Sequence, residues 1–174
     1  TITGVNPASH QGDSVIIDIL KAFGAEVTNI SDGYKISRRD LTGCEIDLEN
    51  CPDLGPVLTV LAALADGTTV IKNAGRLRIK ESDRILAMET ELKKSGVDIS
   101  STTDTITIKG GVTKTAPGGY TFFGHNDHRI VMSMAVLSTV LGQPSVIENA
   151  NAINKSYPNF FEDLQQAGVA VDYK

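Results

Sequence analysis

Between Gly75 and Ile85 the sequence reads GRLRIKESDRI, which sets Arg76, Arg78, Lys80 and Arg84 among Glu81, Ser82 and Asp83. Cations at this density suit a small anionic ligand, and arginine grips a carboxylate or phosphate through two N–H groups at once. Glu81, a carboxyl group among cations, is a candidate proton carrier at a reacting carbon. Three further stretches carry residues of the same kinds. Asp53 stands just before the apolar run LGPVLTVLAALA, His128 and Arg129 open another in HRIVMSMAVLSTVL, and Lys155 comes shortly before Tyr157 and Pro158. Each has a plainer reading. The GRLRIKESDRI charges fit a solvated cluster, Asp53 an N-cap with Pro56 in the first helical turn, and Glu81 a first-turn acid. Arg129 fits a local salt bridge or cap with Asp127, His128 a structural histidine, and Lys155 a surface lysine.

These residues need elements to hold them. After Arg84, Ile85, Met88 and Leu92 recur at helical spacing, Glu89 and Lys93 make a favourable i,i+4 pair, and Gly96 stands where a helix C-cap belongs. Ser82 or a neighbour is the expected N-cap, and Lys80 and Arg84 are spaced to share one face. Cations at a helix start oppose the macrodipole. An anion bound there, where bare N–H groups already attract one, would account for them.

The chain repeats itself. LKAFGAEV, LKKSGVDI and LQQAGVAV place Leu20, Leu92 and Leu164, Gly24, Gly96 and Gly168, and Val27, Ile99 and Val171 at equal intervals. Each copy reads as a helix end, a C-cap glycine and a strand entry. The first glycine is followed by the strand-like AEVTNI, a turn at Ser31-Asp32-Gly33, and YKISR and CEIDLE. The second is followed by VDIS, TITIKG, a loop near Pro117-Gly118-Gly119, and YTFFG. A helix apolar around most of its circumference closes each set and belongs inside a domain. TTVIKN and SVIEN supply matching strands, and Ile2 to Val5 reads as an opening one. Helices so related share an orientation, so several N-termini can converge on one anion site.

With 174 residues, 41% hydrophobic and 21% charged, the chain is expected to form a single globular domain over residues 1–174. A net charge of −5 argues against a nucleic-acid or anionic-membrane surface, so the cations are concentrated locally. No apolar run reaches the roughly 18 residues of a membrane span, no signal-peptide pattern opens the chain, and a cytoplasmic location is expected. Cys44 and Cys51 lack CxxC spacing and histidines at metal-ligand spacing. Free thiols, with no metal and no cofactor, are expected.

IKESDRI, NDHRIVMSMA and NKSYPNFF, in that order, resemble the C-terminal half of the 5-enolpyruvylshikimate-3-phosphate synthase family, over essentially the whole chain. The resemblance implies an α/β (α+β) fold of repeated βαβαββ units, with helices buried inside and sheets outside. About two and a half units are present here, in a fragment of a two-domain enzyme whose N-terminal domain is the missing partner. It implies transfer of the enolpyruvyl group of phosphoenolpyruvate to the 5-hydroxyl of shikimate 3-phosphate, with glyphosate competing for the phosphoenolpyruvate pocket. By the same resemblance Asp53 contacts the 5-hydroxyl as candidate base and Glu81 transfers a proton at the methylene carbon. Arg84, Arg129 and Lys155 hold phosphoenolpyruvate, Lys80 lies between the substrates, and Arg76 and His128 are further binding candidates. The alternatives are another enolpyruvyl transferase, which IKESDRI argues against, and a non-catalytic anion-binding module of the same fold. An RNA-terminus-processing relative is disfavoured by the acidic charge and by only four Tyr and five Phe for base stacking.

Overall fold

Leu20, Leu92 and Leu164 end three helices in the same way. In each, the glycine four residues on takes a left-handed backbone, with φ of +93° at Gly24, +76° at Gly96 and +96° at Gly168. Its N–H donates three residues back, to Lys21, Lys93 and Gln165, and the next N–H donates to the leucine carbonyl itself. This is the Schellman arrangement, which satisfies carbonyls left open at a helix end. The expected triple repeat is therefore present in hydrogen bonds as well as in letters.

The structure, a computed structural model, describes the 174-residue chain apart from Pro7, Arg38, residues 113–115 and Lys174. The first unit runs β1 (Ile2–Thr3), a 3-10 turn (Gly12–Val15), α1 (Ile16–Ala22), β2 (Glu26–Ile30), β3 (Gly33–Ser37), β4 (Glu45–Asp47), a 3-10 turn (Pro52–Leu54) and α2 (Gly55–Leu64). The second runs β5 (Thr68–Lys72), a 3-10 turn (Gly75–Ile79), α3 (Arg84–Lys94), β6 (Asp98–Ser101), β7 (Ile106–Lys109), β8 (Tyr120–Phe123) and α4 (His128–Ser138). A third opens with β9 (Ser145–Glu148), a 3-10 turn (Ala150–Lys155) and α5 (Phe160–Gln166). Arg38, at the end of the YKISR segment that forms β3, lies outside the described residues.

Pairing repeats along with order. β1, β3 and β2 lie side by side and antiparallel, and β5, β7 and β6 do the same. The last strand of one unit lies parallel to the first strand of the next, β4 on β5 and β8 on β9. The strand entry expected at Val171 is the exception, since no strand is assigned over residues 169–173. β6, its counterpart, is held by pairing with β7, and among the described residues no strand pairs with residues 169–173. A strand without a partner leaves its backbone groups to water.

The layers follow the hydrophobic pattern. β7 turns Ile106 and Ile108 inward and Thr107 and Lys109 outward, so one sheet face is wet, as alternation requires. Between the sheets, α2 and α4 bury most of their residues, Leu58, Val60, Ile130, Met134 and Leu137 among them. α3 is amphipathic, with Ile85, Met88 and Leu92 inside and the Glu89–Lys93 pair (2.6 Å) outside. No helix among the described residues is long and apolar enough to cross a membrane. One glycine matters to the site because of what it touches. A Cβ on Gly55 would lie 2.5 Å from Leu77 Cδ1, so a larger residue there would have to displace the buried Leu77 side chain in the 3-10 turn that leads to Lys80.

Gly96→Ala keeps the helix but forces a Cβ into the left-handed region, and is expected to cost about 1–2 kcal/mol. Urea denaturation of the two proteins measures it, and an unchanged midpoint would remove the conformational argument.

Candidate functional site

Three helix starts meet, and Arg84 is where they join. It is the first residue of α3 and only 1% exposed. Its Nε donates to Asp127 Oδ2 (2.8 Å), Nη1 to Asp53 Oδ1 (2.9 Å), and Nη2 to Glu81 Oε2 (2.6 Å) and Asp127 Oδ1 (3.3 Å). Asp53 comes from the turn before α2, and Asp127 is the N-cap of α4. Asp53 also takes Lys80 (3.2 Å) on one oxygen and Arg129 Nη2 (3.0 Å) on the other, while its carbonyl takes Arg129 Nη1 (3.1 Å). Three cations and three carboxylates thus form one network that is neutral as a whole.

Several plain readings fail for identifiable reasons. Asp53 is no N-cap: it sits inside its own 3-10 turn, α2 starts at Gly55 with no side-chain cap, and the carboxylate faces cations. At α3, where Ser82 or a neighbour is the expected cap, the neighbour Asp83 takes that place and Ser82 is engaged elsewhere. Its hydroxyl donates to Asp127 Oδ2 (3.0 Å), and Asp83, in extended backbone, caps Leu86 N–H (3.0 Å). Glu81 precedes that cap, so it is not a first-turn acid. Lys80 also lies outside the helix, and it meets Arg84 on Asp53 Oδ1 rather than across a helical face. The side chain of Arg129 pairs with Asp53, not with Asp127, which instead accepts the Arg129 backbone N–H (2.9 Å).

The remaining candidates divide. Lys155 ends a 3-10 turn instead of opening a helix, and its Nζ donates to the carbonyl of Asn126 (2.5 Å), next to Asp127. His128 opens α4, 9% exposed, with a buried Nδ1 that has no hydrogen-bond partner among the described residues. Arg76 is not brought into the network; exposed, it reaches the Glu49 carbonyl at 3.4 Å and no other partner among the described residues. Arg78 has a different task. Its Nη1 holds Asp83 Oδ2 (2.9 Å), Nε holds the Thr103 carbonyl (3.0 Å), and Nη2 bonds the Thr102 carbonyl. It thereby pins the cap of α3 to the β6–β7 turn. Sequence reading missed Asp127 as the shared counter-ion of Arg84. An aspartate placed to cap a buried helix was the available signal.

Charges tune one another here. Burial pushes the Asp127 carboxyl up, but Arg84, the Arg129 N–H and the Ser82 hydroxyl outweigh it and hold it below the usual aspartate range. Burial likewise opposes ionisation of Asp53, and Lys80, Arg129 and Arg84 overcome it. For Arg84 burial disfavours the charge, and the surrounding carboxylates more than restore it. Asp53, Glu81, Lys80 and Arg129 stay 27–40% exposed at their side chains. The network is therefore a half-open surface; two hollows of about 350 and about 540 Å3 lie elsewhere, lined by residues such as Tyr34 and Val112.

Arg84→Met is expected to destabilise the chain by about 3–5 kcal/mol, because it strands the fully buried Asp127 carboxylate. Adding Asp127→Leu removes the stranded charge and is expected to recover part of the loss. Denaturant titration of both decides, and a single variant within experimental error of the parent would refute the pairing as a structural constraint. The depressed Asp53 and Asp127 carboxyls also set an acid limit. Their stabilisation is complete above the unfolded aspartate value of roughly 3.9 and is lost as pH falls through the lower folded values. The melting temperature should fall on acidification below about pH 4; a flat profile there would contradict it.

Comparison with known proteins identifies the family. The family model for EPSP synthase (3-phosphoshikimate 1-carboxyvinyltransferase) matches residues 1–164. The 3-phosphoshikimate 1-carboxyvinyltransferase of Clostridium novyi is 46% identical over 164 residues, which cover 94% of this chain and 37% of that protein. That of Methanothrix thermoacetophila is 46% identical over 173 residues, covering 98% and 40%. Among solved structures, EPSP synthase from Acinetobacter baumannii superposes with a TM-score of 0.79 at 33% identity, over 97% of this chain and 41% of that one. The enolpyruvyl transferase NikO from Streptomyces tendae, 20% identical with a TM-score of 0.75 over 91% of this chain and 36% of its own, shares the fold. The chain spans 37–41% of the length of the synthases it matches. By its match to the family model over nearly its whole length, the chain belongs to the EPSP synthase family.

Proposed function

We propose that this chain is one domain of a two-domain enzyme that transfers the enolpyruvyl group of phosphoenolpyruvate to the 5-hydroxyl of shikimate 3-phosphate. The observation that carries this reading is the Asp53–Arg84–Asp127 network, where the PDLGP, IKESDRI and NDHRI segments arrive at one place. Both substrates are phosphorylated acids. Arg84, Arg129 and Lys155 would bind phosphoenolpyruvate, with Lys80 between the substrates and His128 a further binding candidate.

The chemistry follows from exchange of anions. Asp53 now rests on Lys80, Arg84 and Arg129, the position a ligand carboxylate or phosphate would take. A ligand that replaces it frees Asp53 from the cations that hold its carboxyl down, which makes it a better base for the 5-hydroxyl proton. Glu81, bonded to Arg84 beside the same cations, would act as the general acid. The hydroxyl oxygen then bonds to C2 as Glu81 delivers its proton to C3. Phosphate leaves from the tetrahedral intermediate with the proton that Asp53 took from the 5-hydroxyl, a proton returns from C3 to Glu81, and the double bond re-forms, leaving both carboxyl groups as they began. The half-open network needs cover to exclude water from these steps, and the N-terminal domain of the enzyme would supply it, together with further ligands.

Phosphate release is to be measured with both substrates, on this chain alone and joined to its N-terminal domain. Turnover is expected only from the joined protein. Robust turnover by the chain alone would overturn the shared site, and none from the joined protein would overturn the function. In the joined protein Glu81→Gln should lower kcat about 10²- to 10⁴-fold with much smaller changes in substrate affinity. Lys80→Met should instead raise KM. Normal turnover of Glu81→Gln at saturating substrates would return Glu81 to a purely ionic role.

A further inference from the structure

The segment joining β8 to α4 holds two consecutive non-glycine residues in the left-handed region, His125 (φ +49°) and Asn126 (φ +53°), immediately before Asp127. L-residues adopt this backbone singly and at a cost, and a pair persists only where the surroundings impose it. On one side the constraint comes from β9 and the 3-10 turn after it. Gly124 N–H donates to the Glu148 carbonyl (2.9 Å), Asn126 N–H to Asn149 Oδ1 (2.5 Å), and Lys155 to the Asn126 carbonyl. On the other side it is a single residue of α3. Glu91, 1% exposed, accepts the Phe123 N–H on Oε2 (2.9 Å), where Lys94 also binds (2.7 Å), and its Oε1 meets His125 Nε2 (2.9 Å).

Glu91 lies seven residues, close to two turns, beyond Arg84 on α3, so the two share a face of that helix. One helix therefore grips both ends of the left-handed segment, with Arg84 on Asp127 and Glu91 on Phe123 and His125. We propose that Glu91 is a positioning residue, which holds the His125–Asn126 turn and so sets Asp127 against Arg84 and fixes the start of the helix that carries Arg129. The role rests on the proposed function, in which Arg84 and Arg129 meet the substrate anion. A buried carboxylate is a costly way merely to fill space. Its value here lies in acceptors for an N–H, an ammonium and an imidazole at once. Burial opposes the charge on Glu91, yet Lys94, His125 and the Phe123 N–H together keep its carboxyl below the usual range.

The test uses the joined two-domain protein and two readouts, amide hydrogen exchange over residues 123–129 and steady-state kinetics with phosphoenolpyruvate. Glu91→Gln is expected to speed exchange in this segment and to lower kcat/KM by up to about 100-fold, the cost of a displacement near 1 Å at a distance from the chemistry. Asn126→Gly added to it should reverse both effects, because glycine takes the left-handed backbone without being held there. A residue needed only for bulk stability would not be rescued in this way. His125→Phe, at a partly exposed position, removes one contact without stranding the fold and should loosen the same amides. It decides the matter if Glu91→Gln does not fold. Unchanged exchange over residues 123–127 in the variants, or a kinetic defect that Asn126→Gly leaves in place, would overturn the proposal. If the unmutated protein shows no turnover, the functional reading falls, and exchange alone decides whether Glu91 holds the segment.

Discussion

A guanidinium cannot give up its proton in a protein, so Arg84, nearly inaccessible to solvent, must keep anionic partners wherever it sits. Its partners come from the turn before α2, from the residues before α3 and from the cap of α4. Pulling any of these segments away leaves a charge with too few hydrogen bonds in a place water does not reach, which costs more than most packing defects. The mutual placement of three helix starts is thus held by one side chain. The core beneath, with Ile85, Leu58 and Ile130, brings the helices together; Arg84 determines how their ends meet.

The repeat explains why those ends are near one another. In each unit the strand before the buried helix, β4 or β8, lies parallel to the first strand of the next, β5 or β9, so the units are joined in a constant sense. Equivalent helices then point alike, and their N–H ends gather at one pole of the domain. Anions are favoured at such a pole and added cations are not. The carboxylates of Asp53, Glu81 and Asp127 offset the cations in the absence of ligand. α5 shows the same plan with a shorter reach: it has 7 residues where α3 has 11, about one turn less, and still ends in the same capped glycine.

What could be read from the letters was whatever depends on neighbours in the chain. The leucine–glycine ends are local chemistry, since a left-handed C-cap and the bonds it closes involve only about six residues. The apolar faces of α2, α3 and α4 were legible for the same reason. The pairings that build the site join residues 43 and 76 apart, Arg84 to Asp127 and Arg129 to Asp53, and spacing cannot reveal them. Spacing alone therefore offers Asp127 to the adjacent Arg129, and Asp53 a cap, as the plainer readings beside those that the resemblance implies. The 3-10 turn at Pro52–Leu54 delays the start of α2 to Gly55 and frees the carboxylate. The left-handed turn at His125 and Asn126 was hidden too, because neither residue is a glycine that would announce it.

A neutral network also restricts how any anion can enter. Adding a phosphate to three cations already matched by three carboxylates leaves excess negative charge in a partly desolvated place, where repulsion is strong. Entry therefore requires that a carboxylate swing away, gain a proton, or meet new cations brought from outside the chain. Asp53 is the carboxylate best placed to yield. It is partly exposed, it hangs from a short turn rather than a helix, and both its oxygens are held by cations that a ligand would want. Asp127 is the worst placed, being fully buried, capping α4 and bonded to Arg84 and Ser82. The two aspartates thus differ at the same arginine: Asp127 fixes it, and Asp53 is the one that the proposed exchange of anions would displace.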